Sequence, residues 1–373
     1  MHLGSTNNKK SEKILFCGTM VPEDAEYHVK DISAAGNRFQ NNMIKNLRRA
    51  GYEVVSCSFL GMDIPDDIKK KLTGNYVFKD KDLLKAIWNF HGLLKRTMSD
   101  TETVICYNIA YAWLFLPFMA KRMYKRSIVI MADYSESVSY KSISGKLYAK
   151  LQLWSMRRFD TVVGLSGKIK DKLRKKQEFI LMEGGIDEEL YHSFVYRPHE
   201  EGRPITFMYS GLLNYVTGVN LLLDAMKRVE RQDIRLWISG KGELEEAVKA
   251  AAEGDDRICY LGHLPYEEYI QKLQEADVLV NPRDMSLPEN QNNFPSKIMD
   301  YLAAGKVIVS TRFAGWERFR ENIFFCENRV NDIGKCLEHV KEKLPDGESV
   351  YKRNREKAKE FEWSVQLKHL LGE

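Results

Sequence analysis

The sequence predicts an α/β fold built from two Rossmann-like domains, each with a parallel sheet. Short apolar runs bounded by polar turns, such as Lys13–Cys17, have the composition of buried parallel strands. Segments with helical periodicity, such as Gly36–Gly51, alternate with those runs, and that alternation is typical of a parallel sheet covered by helices. The chain has 373 residues, which is too long for one typical domain and suits two.

The composition is that of a soluble globular protein, with 44% hydrophobic and 29% charged residues. A net charge of +5 does not require a nucleic-acid partner and is compatible with anionic substrates or an anionic membrane surface. The six cysteines have no metal-ligand spacing, so we expect free thiols in a reducing compartment. The longest apolar stretch, Ala110–Ala120, is too short to span a bilayer, and no signal peptide is visible.

The start of the chain has the order of a Rossmann-like domain. Residues 1–11 are polar and are predicted to be disordered or to derive from the expression vector. A strand at Lys13–Cys17 leads to a turn at Gly18 and Thr19, and a helix over Gly36–Gly51 follows. The next strand is predicted at Tyr52–Phe59. A glycine after the first strand allows either close approach to a ligand or only a tight turn, and both interpretations stay open.

The rest of the first domain carries basic and aromatic helices. Segments Asp82–Met98, Ala112–Lys125 and 143–158 have helical periodicity and many lysines and arginines. Aromatic and basic residues interleaved in this way suit either a membrane surface or a core-facing helix with a solvated end. Asp133 follows a strand at Ser127–Met131, where it could face a substrate or cap the next helix. Two further strands complete this domain, at Thr161–Ser166 and Phe179–Met182.

A polar segment with glycine and proline, His199–Pro204, indicates the domain boundary. We therefore predict a first domain over residues 12–200, a second over 201–350, and a final helical segment over 351–373. The second domain begins with a strand at Ile205–Ser210 followed by Gly211. Its other early elements are predicted as helices at Val219–Val229 and Leu244–Ala252 and strands at Ile234–Ile238 and Cys259–Leu264.

The most informative stretch lies between Val278 and Thr311. A short apolar strand is followed by a polar loop, a helix over Ser296–Ala304 that Ser296 can cap and Gly305 ends, and another strand. In open α/β sheets a ligand lies at the carboxyl ends of the strands, beside such a helix N-terminus, and free N–H groups there suit phosphate. Lys297 stands in that helix start, Arg283 in the preceding loop, and Asp300 one turn further on.

The segments Asn281–Arg283, Phe294–Lys297 and Asp300–Lys306 together resemble the donor-site signature of family 4 glycosyltransferases, which have the GT-B fold. The resemblance is specific in this stretch and loose over most of the remaining chain. It implies two Rossmann-like domains facing a central cleft, with a C-terminal helix that crosses back to the first domain. Asn281–Arg283 and Phe294–Lys297 in particular resemble a subgroup that is common among bacterial capsular and exopolysaccharide glycosyltransferases.

The resemblance further implies a retaining transfer of sugar from a nucleotide-diphosphate sugar to a glycan or a polyprenyl-diphosphate-linked acceptor, in bacterial polysaccharide biosynthesis. No metal and no other cofactor is expected. Lys297, Arg283 and Asp133 are the candidate catalytic residues. The candidate substrate-binding residues are Gly18, Thr19, Ser210, Gly211, Asn214, Gly240, His263, Leu264, Asn292, Asn293, Phe294, Pro295, Ser296 and Asp300.

This sequence departs from the family pattern at three positions. Asn292 stands where the family has its first carboxylate, and Leu212 and Thr217 stand where an arginine and a lysine usually bind the donor diphosphate. We expect Arg283 and Lys297 to supply that positive charge instead. The departures leave open a catalytically silent GT-B subunit that binds a partner transferase. A nucleotide-sugar epimerase and a membrane-binding module also stay open as functions of this chain.

The resemblance also implies a cytoplasmic protein, peripheral at the inner face of the plasma membrane. The residues expected to contact an anionic surface are Trp113, Phe115, Phe118, Lys121, Arg122, Lys125, Arg126, Trp154, Arg157 and Arg158.

Overall fold

A computed structural model describes residues 12–26, 28–29, 32–79, 82–132, 142–290, 294–343 and 346–372. The chain forms two compact units, Met1–Met182 with Leu367–Glu373 (unit 1) and Glu183–Gln366 (unit 2). The change of unit thus comes at Glu183, before the predicted boundary near residue 200. The segment after Glu183 belongs to unit 2 because it is bonded there: Ile186 N–H donates to Phe361 O at 2.7 Å, and the Gln274 amide bonds both backbone groups of Val195 at 2.9 Å.

Among the described residues, the sheet of unit 1 has seven strands, all parallel, in the order β3-β2-β1-β4-β5-β6-β7. Five of the seven were predicted to within one residue at each end, β6 ends two residues earlier than predicted, and β3 was missed. Its strand is short and only half-buried, so it lacks the apolar run that identified the others. The strands are β1 Lys13–Gly18, β2 Glu53–Leu60, β3 Asn75–Phe78, β4 Thr103–Tyr107, β5 Arg126–Met131, β6 Thr161–Gly164 and β7 Glu178–Leu181.

Capping side chains fix where the longer helices of unit 1 begin. Ser33, Asp82 and Ser142 each accept a hydrogen bond from the N–H three residues later, at 3.2, 3.0 and 3.0 Å. The helices are α1 Glu23–Glu26, α2 Ala34–Arg49, α3 Asp66–Lys71, α4 Leu83–Met98, α5 Leu116–Arg122 and α6 Ile143–Met156, with 3₁₀ helices at Tyr111–Trp113 and Gly167–Lys172.

Two predictions on these helices are wrong in detail. The helix predicted from Gly36 starts two residues earlier, at Ala34, because Ser33 caps it. The predicted helix Ala112–Lys125 is two shorter pieces, because Pro117 has no N–H to donate to Trp113 O and is tolerated only in the first turn of a new helix. Trp113, expected at a membrane-facing surface, is buried, and its indole N–H donates to Asn108 O at 2.9 Å.

In the described part of unit 2, the sheet has six parallel strands in the order β10-β9-β8-β11-β12-β13. Its strands are β8 Ile205–Ser210, β9 Ile234–Ser239, β10 Ile258–Tyr260, β11 Val278–Asn281, β12 Val307–Thr311 and β13 Phe324–Cys326. Its α-helices are α7 Glu188–His192, α8 Val219–Met226, α9 Glu245–Gly254, α10 Tyr266–Glu275, α11 Lys297–Ala304, α12 Val330–His339 and α13 Gly347–Lys359. The last helix, α14 Trp363–Leu371, enters unit 1 at Leu367, as the predicted C-terminal return requires.

Each unit has its own apolar core. In unit 1, alternate residues of the central strands, such as Leu15, Val104 and Val129, pack against helices α4, α5 and α6. In unit 2, Phe207, Leu236 and Val280 pack against α8 and α12. Because both faces of a parallel sheet are covered, the polar groups that remain accessible are those of the loops at the strand ends.

Candidate functional site

The carboxyl ends of β8, β9 and β11 lie side by side at one edge of the unit 2 sheet. Ser210 at the end of β8 is paired with Ser239 at the end of β9. Asn281 ends β11 beside Ser310 of β12, and its side-chain amide donates to the Ser310 hydroxyl at 2.8 Å. The loops that follow these strands therefore form one surface at the edge where ligands of open α/β sheets bind.

Glycines let two of these loops pack backbone against backbone. Gly211 follows β8 and donates its N–H to Ser239 O at 3.0 Å, while Gly240 follows β9 and donates to Gly262 O at 2.9 Å. Gly240 has a φ of +144°, and a Cβ at this position would overlap Gly211 O. A side chain at Gly240 would separate the two loops, so glycine is required there by the close approach.

Lys297 is the central cation of this surface. It begins α11, and its Nζ lies 4.1 Å from the centroid of the Tyr209 ring. A Cβ added to Gly211 would lie 2.8 Å from the same Nζ, so the missing side chain of Gly211 is what leaves room for the ammonium group. The Tyr209 hydroxyl donates to Leu212 O at 2.7 Å and so fixes the ring under the cation.

The ammonium of Lys297 is held in an unfavourable setting for a positive charge. Burial first, and then the positive charge of Arg283, lower the pKa of Lys297 to about 7, while the carboxylate of Asp300 partly opposes both effects. Lys297 is nevertheless partly exposed as a residue. An anion bound at this edge would offset the desolvation cost of the Lys297 ammonium and its repulsion from Arg283.

The loop that carries Arg283 is anchored at both sides. The Thr311 hydroxyl donates to Arg283 O at 2.6 Å. Asn290 is buried, and its side-chain amide donates to Asp284 O at 2.7 Å and to Val216 O at 2.6 Å. These bonds tie the loop after β11, which carries Arg283, to the loop after β8, whose Gly211 lies beside Lys297.

Asp300 lies one turn into α11 and is half-buried. The hydroxyl of Tyr269, from α10, donates to its Oδ2 at 2.9 Å. Sequence reasoning missed both Tyr269 and Tyr209. Tyr209 follows Phe207 on the inward side of β8 and has the pattern of a core residue, and Tyr269 lies on a helix that carries no motif.

The loop after β8 supplies no cation at the two positions where the family pattern has one. Leu212 is half-exposed, at 54%, and its carbonyl is bonded by the Thr217 hydroxyl at 2.7 Å. The Thr217 N–H donates to Asn214 Oδ1 at 2.9 Å, so the Asn214 side chain shapes the turn. The positive charge at this edge comes instead from Lys297 and Arg283, which interact electrostatically.

Other predicted positions of unit 2 lie around this edge or behind it. Ser296 stands immediately before α11, but it does not cap the helix as predicted, because its backbone is already helical and its side chain makes no capping bond. Phe294 is buried against the Phe313 and Phe319 rings, with centroids 5.3 and 5.6 Å away, and Pro295 is buried beside it. His263 is exposed and Leu264 half-buried in the loop after β10.

The substrate-binding residues predicted in unit 1, Gly18 and Thr19, lie against a neutral side chain and not a cation. The Gln40 side chain of α2 accepts from Thr19 N–H at 3.1 Å and donates to Thr19 O at 3.0 Å. A Cβ on Gly18 would overlap Gln40 Oε1. Asp133, Asn292 and Asn293 lie outside the described residues, and their assignments stay predictions.

Metal-ligating side chains are not clustered in the part of the chain that the structure describes. Across the described ranges, no group of three or more His, Cys, Asp or Glu side chains is placed to hold a metal ion. Within the same ranges, no helix is both long and apolar enough to cross a bilayer.

Comparison with known proteins shows which proteins the chain that forms this edge is similar to. Residues 204–340 match the family model described as "Glycosyl transferases group 1", and they include Gly211, Arg283, Lys297 and Asp300. The chain is 24% identical over 226 residues to D-rhamnosyltransferase WbpZ of Pseudomonas aeruginosa, covering 58% of this chain and 57% of WbpZ. It is 27% identical over 118 residues to the amylovoran biosynthesis glycosyltransferase AmsK of Erwinia amylovora, covering 30% of this chain and 29% of AmsK.

The matched segments thus span little more than half of one curated relative and less than a third of the other. In three dimensions the similarity is more extensive. HepE of Anabaena, solved in complex with UDP, superposes with a TM-score of 0.72 at 13% identity, covering 96% of this chain and 98% of HepE. The two parallel-sheet domains are those of the GT-B fold, which is shared with HepE over 96% of the chain. The predicted resemblance to glycosyltransferases is confirmed in sequence for residues 204–340.

Proposed function

We propose that this protein is a glycosyltransferase that uses a nucleotide-diphosphate sugar as donor. The donor diphosphate would bind at the carboxyl edge of the unit 2 sheet, and the acceptor would be a glycan or a lipid-linked sugar in bacterial polysaccharide biosynthesis. The two curated relatives are named for sugar transfer, and HepE was solved with UDP, which supports this choice of donor class.

The observation that carries the proposal is the position of Lys297. Its ammonium lies against the glycine turn after β8, over the Tyr209 ring and near Arg283, at the start of α11. Breaking the bond between sugar and phosphate leaves negative charge on the diphosphate. Two cations and the N–H groups of a helix start, already in place before the reaction, stabilise that charge as it develops.

The other residues of the edge would position the donor. Asp300 would accept hydrogen bonds from ribose hydroxyls, with Tyr269 holding its carboxylate. Asn292, Asn293 and the backbone near Phe294 would orient the sugar, and Asp133 would lie near the acceptor. We further propose that the reaction retains the anomeric configuration, that it needs no metal, and that the protein acts as a peripheral protein at the inner face of the plasma membrane.

The test is turnover by the full chain. Thermal shift with a panel of nucleotide-diphosphate sugars selects the donor, and release of the nucleoside diphosphate then measures hydrolysis or transfer. Lys297→Ala should lower kcat about 10²–10³-fold, the size expected when one donor to a developing oxyanion is removed. Lys227→Ala removes an exposed lysine of unit 2, 71% exposed and paired with Asp224, and should leave kcat unchanged.

Two outcomes would contradict the proposal. Near-normal kcat in Lys297→Ala would remove Lys297 from the site. Binding of a donor without any turnover, in the presence of a range of acceptors, would favour the catalytically silent subunit instead. The anomeric configuration of the product, read by NMR, tests the retaining outcome separately.

A further inference from the structure

Exposed large apolar side chains are concentrated in one part of unit 1. The described residues include sixteen such side chains, and ten of them lie between Leu83 and Leu151. Scattered exposed apolar residues are normal, but a concentration in one region indicates a surface that is covered by something in the cell. The ten are Leu83, Leu84, Trp88, Tyr111, Phe115, Phe118, Tyr124, Ile143, Leu147 and Leu151.

Helix α4 exposes two of the largest. Its buried residues Ala86, Phe90 and Leu94 face the core, and Leu84 and Trp88 lie on the opposite side of the helix. They are 78% and 80% exposed, and their spacing of four residues places them next to each other. An outward tryptophan and leucine are unfavourable in water, so packing within unit 1 does not explain them.

Helix α6 has an outward apolar stripe of the same kind. Ala149 faces the core, and the side opposite to it carries Ile143, Leu147 and Leu151, which are 87%, 57% and 38% exposed. Trp154 continues the stripe by one turn. The spacing of four, four and three residues keeps all of them on one side of the helix.

Helix α5 joins the stripe through an aromatic cluster. The Phe118 ring stacks on Trp154 with centroids 4.9 Å apart, and Phe115 lies edge-on to Trp154 at 6.0 Å. The Arg158 guanidinium lies 5.2 Å from the Trp154 centroid. Helices α4, α5 and α6 all pack on the same core cluster, so their outward sides belong to one surface, which we name the α4–α6 face.

The charge on these three helices is of one sign. Within their bounds they carry seven lysines and arginines and no aspartate or glutamate: Lys85, Lys95, Arg96, Lys121, Arg122, Lys146 and Lys150. Helices α9 and α10 of unit 2, by contrast, each carry three glutamates and one lysine. A second copy of the α4–α6 face would bring like charges together, whereas an anionic surface would complement them.

We propose that the α4–α6 face docks on an anionic phospholipid surface, with Leu84 and Trp88 of α4 and Ile143 and Leu147 of α6 inserted among the headgroups. Aromatic and aliphatic side chains surrounded by lysine and arginine are the chemistry of an interfacial membrane contact. The inference deepens the proposed function, because it rests on a lipid-linked acceptor and assigns the surface that brings the enzyme to it.

The experiment is co-sedimentation of the full chain with vesicles. One set is phosphatidylcholine alone, and the other contains 30 mol% phosphatidylglycerol, each at about 0.1 M and about 0.5 M NaCl, between which screening shortens the range of the charge interaction. We expect binding to the anionic vesicles only, weakened at high salt. The Lys146→Gln/Lys150→Gln variant should bind roughly 20- to 30-fold more weakly, since each basic residue near such a surface contributes about fivefold.

The apolar part of the face is tested by Leu84→Ser/Trp88→Ser and by Ile143→Ser/Leu147→Ser. Both replace outward residues, so the fold should be retained, and each should lose at least tenfold in vesicle affinity. Val195→Ser, which changes an exposed apolar residue of unit 2, should bind as the unchanged protein does. Equal binding to both vesicle types, no binding to either, or unchanged binding of the two serine variants would overturn the proposal.

A second copy of this chain is the alternative occupant of the α4–α6 face, and the molecular mass in solution, measured by light scattering, detects it. A dimer that the Ile143→Ser/Leu147→Ser variant dissociates would show that the face binds a second copy, and would overturn the lipid assignment. Donor turnover in the absence of vesicles separates this inference from the proposed function. Variants that lose vesicle binding but retain turnover support both, while vesicle binding by a protein without turnover would support the α4–α6 face and contradict the enzyme.

Discussion

Each sheet has a glycine at the carboxyl end of the strand that comes first in the chain, and the two glycine turns are filled by different groups. In unit 1 the space beside Gly18 is occupied by the neutral amide of Gln40, which bonds both backbone groups of Thr19. In unit 2 the space beside Gly211 is occupied by the ammonium of Lys297. Among the described residues, Lys297 Nζ has an aromatic ring beneath it and no hydrogen bond or ion pair.

The two glycine turns differ in role according to the side chain that fills the space beside the glycine. A buried amide with its donors and acceptors bonded closes a turn and stabilises it. A desolvated cation beside a second cation costs stability and is retained where an anion binds. We therefore assign the structural role to the turn of unit 1 and the donor site to the turn of unit 2, and five predictions test this contrast.

The largest effect is expected for Lys297→Met. Loss of a charge-assisted contact should weaken binding of the nucleoside diphosphate of the selected donor by roughly 10- to 150-fold, which corresponds to about 1.5–3 kcal/mol. The melting temperature should not fall, because the substitution removes a buried charge and keeps most of the length of the side chain. Calorimetric titration and a thermal melt measure the two quantities. A fall in melting temperature with unchanged affinity would assign Lys297 to the fold instead.

Gln40→Ala should show the opposite pattern. Two hydrogen bonds to Thr19 and one to Gly36 O at 3.0 Å are lost, and the resulting destabilisation should be about 1–3 kcal/mol. Native-state hydrogen exchange of the β1 and α2 amides measures it locally. Affinity for the nucleoside diphosphate should stay within about twofold. A loss of affinity as large as that of Lys297→Met would place the unit 1 turn in the donor site.

Nucleotide binding should be linked to protons through Lys297. Its pKa is about 7, so the free protein at pH 8 holds most of this amine neutral, and a bound diphosphate favours the ammonium. Binding at pH 8 should take up close to one proton, and binding at pH 6 should take up almost none at this group. Titrations in buffers of different ionisation enthalpy measure the uptake. Lys297→Met should abolish it, and an equal uptake in that variant would assign the proton elsewhere.

The lowered pKa of Lys297 also determines whether the stability of the free protein rises or falls with pH. Because the folded pKa of Lys297 lies below the lysine value of about 10.4, the unfolded chain binds more protons between about pH 7 and pH 10. This group therefore makes the protein less stable below pH 7, and the penalty is lost as pH rises through that window. The melting temperature of Lys297→Met should depend less steeply on pH there.

The smallest effect is expected for Tyr269→Phe. It removes one hydrogen bond, of 2.9 Å, to the Asp300 carboxylate and leaves both side chains otherwise in place. Affinity for the nucleoside diphosphate should fall by roughly two- to tenfold, about 0.5–1.5 kcal/mol. Asp300→Ala should reduce it at least as much. If Asp300→Ala has no effect on the nucleoside diphosphate while Lys297→Met does, the ribose assignment is wrong and the diphosphate assignment stands.

The two parallel sheets could be predicted from the sequence alone, because buried strands such as β8 and β11 are short apolar runs. Glycines also mark where elements stop: Gly211 follows β8, and Gly305 ends α11. The sequence also placed Lys297, Arg283 and Asp300 at one sheet edge, since carboxyl ends of neighbouring parallel strands must meet there. Tertiary structure alone decided what surrounds each of them. Tyr209, Tyr269 and Gln40 reach their partners across elements, and no local period or propensity encodes such a contact. The α4–α6 face likewise depends on which sides of three helices the core leaves outside, and that is fixed only when the helices pack.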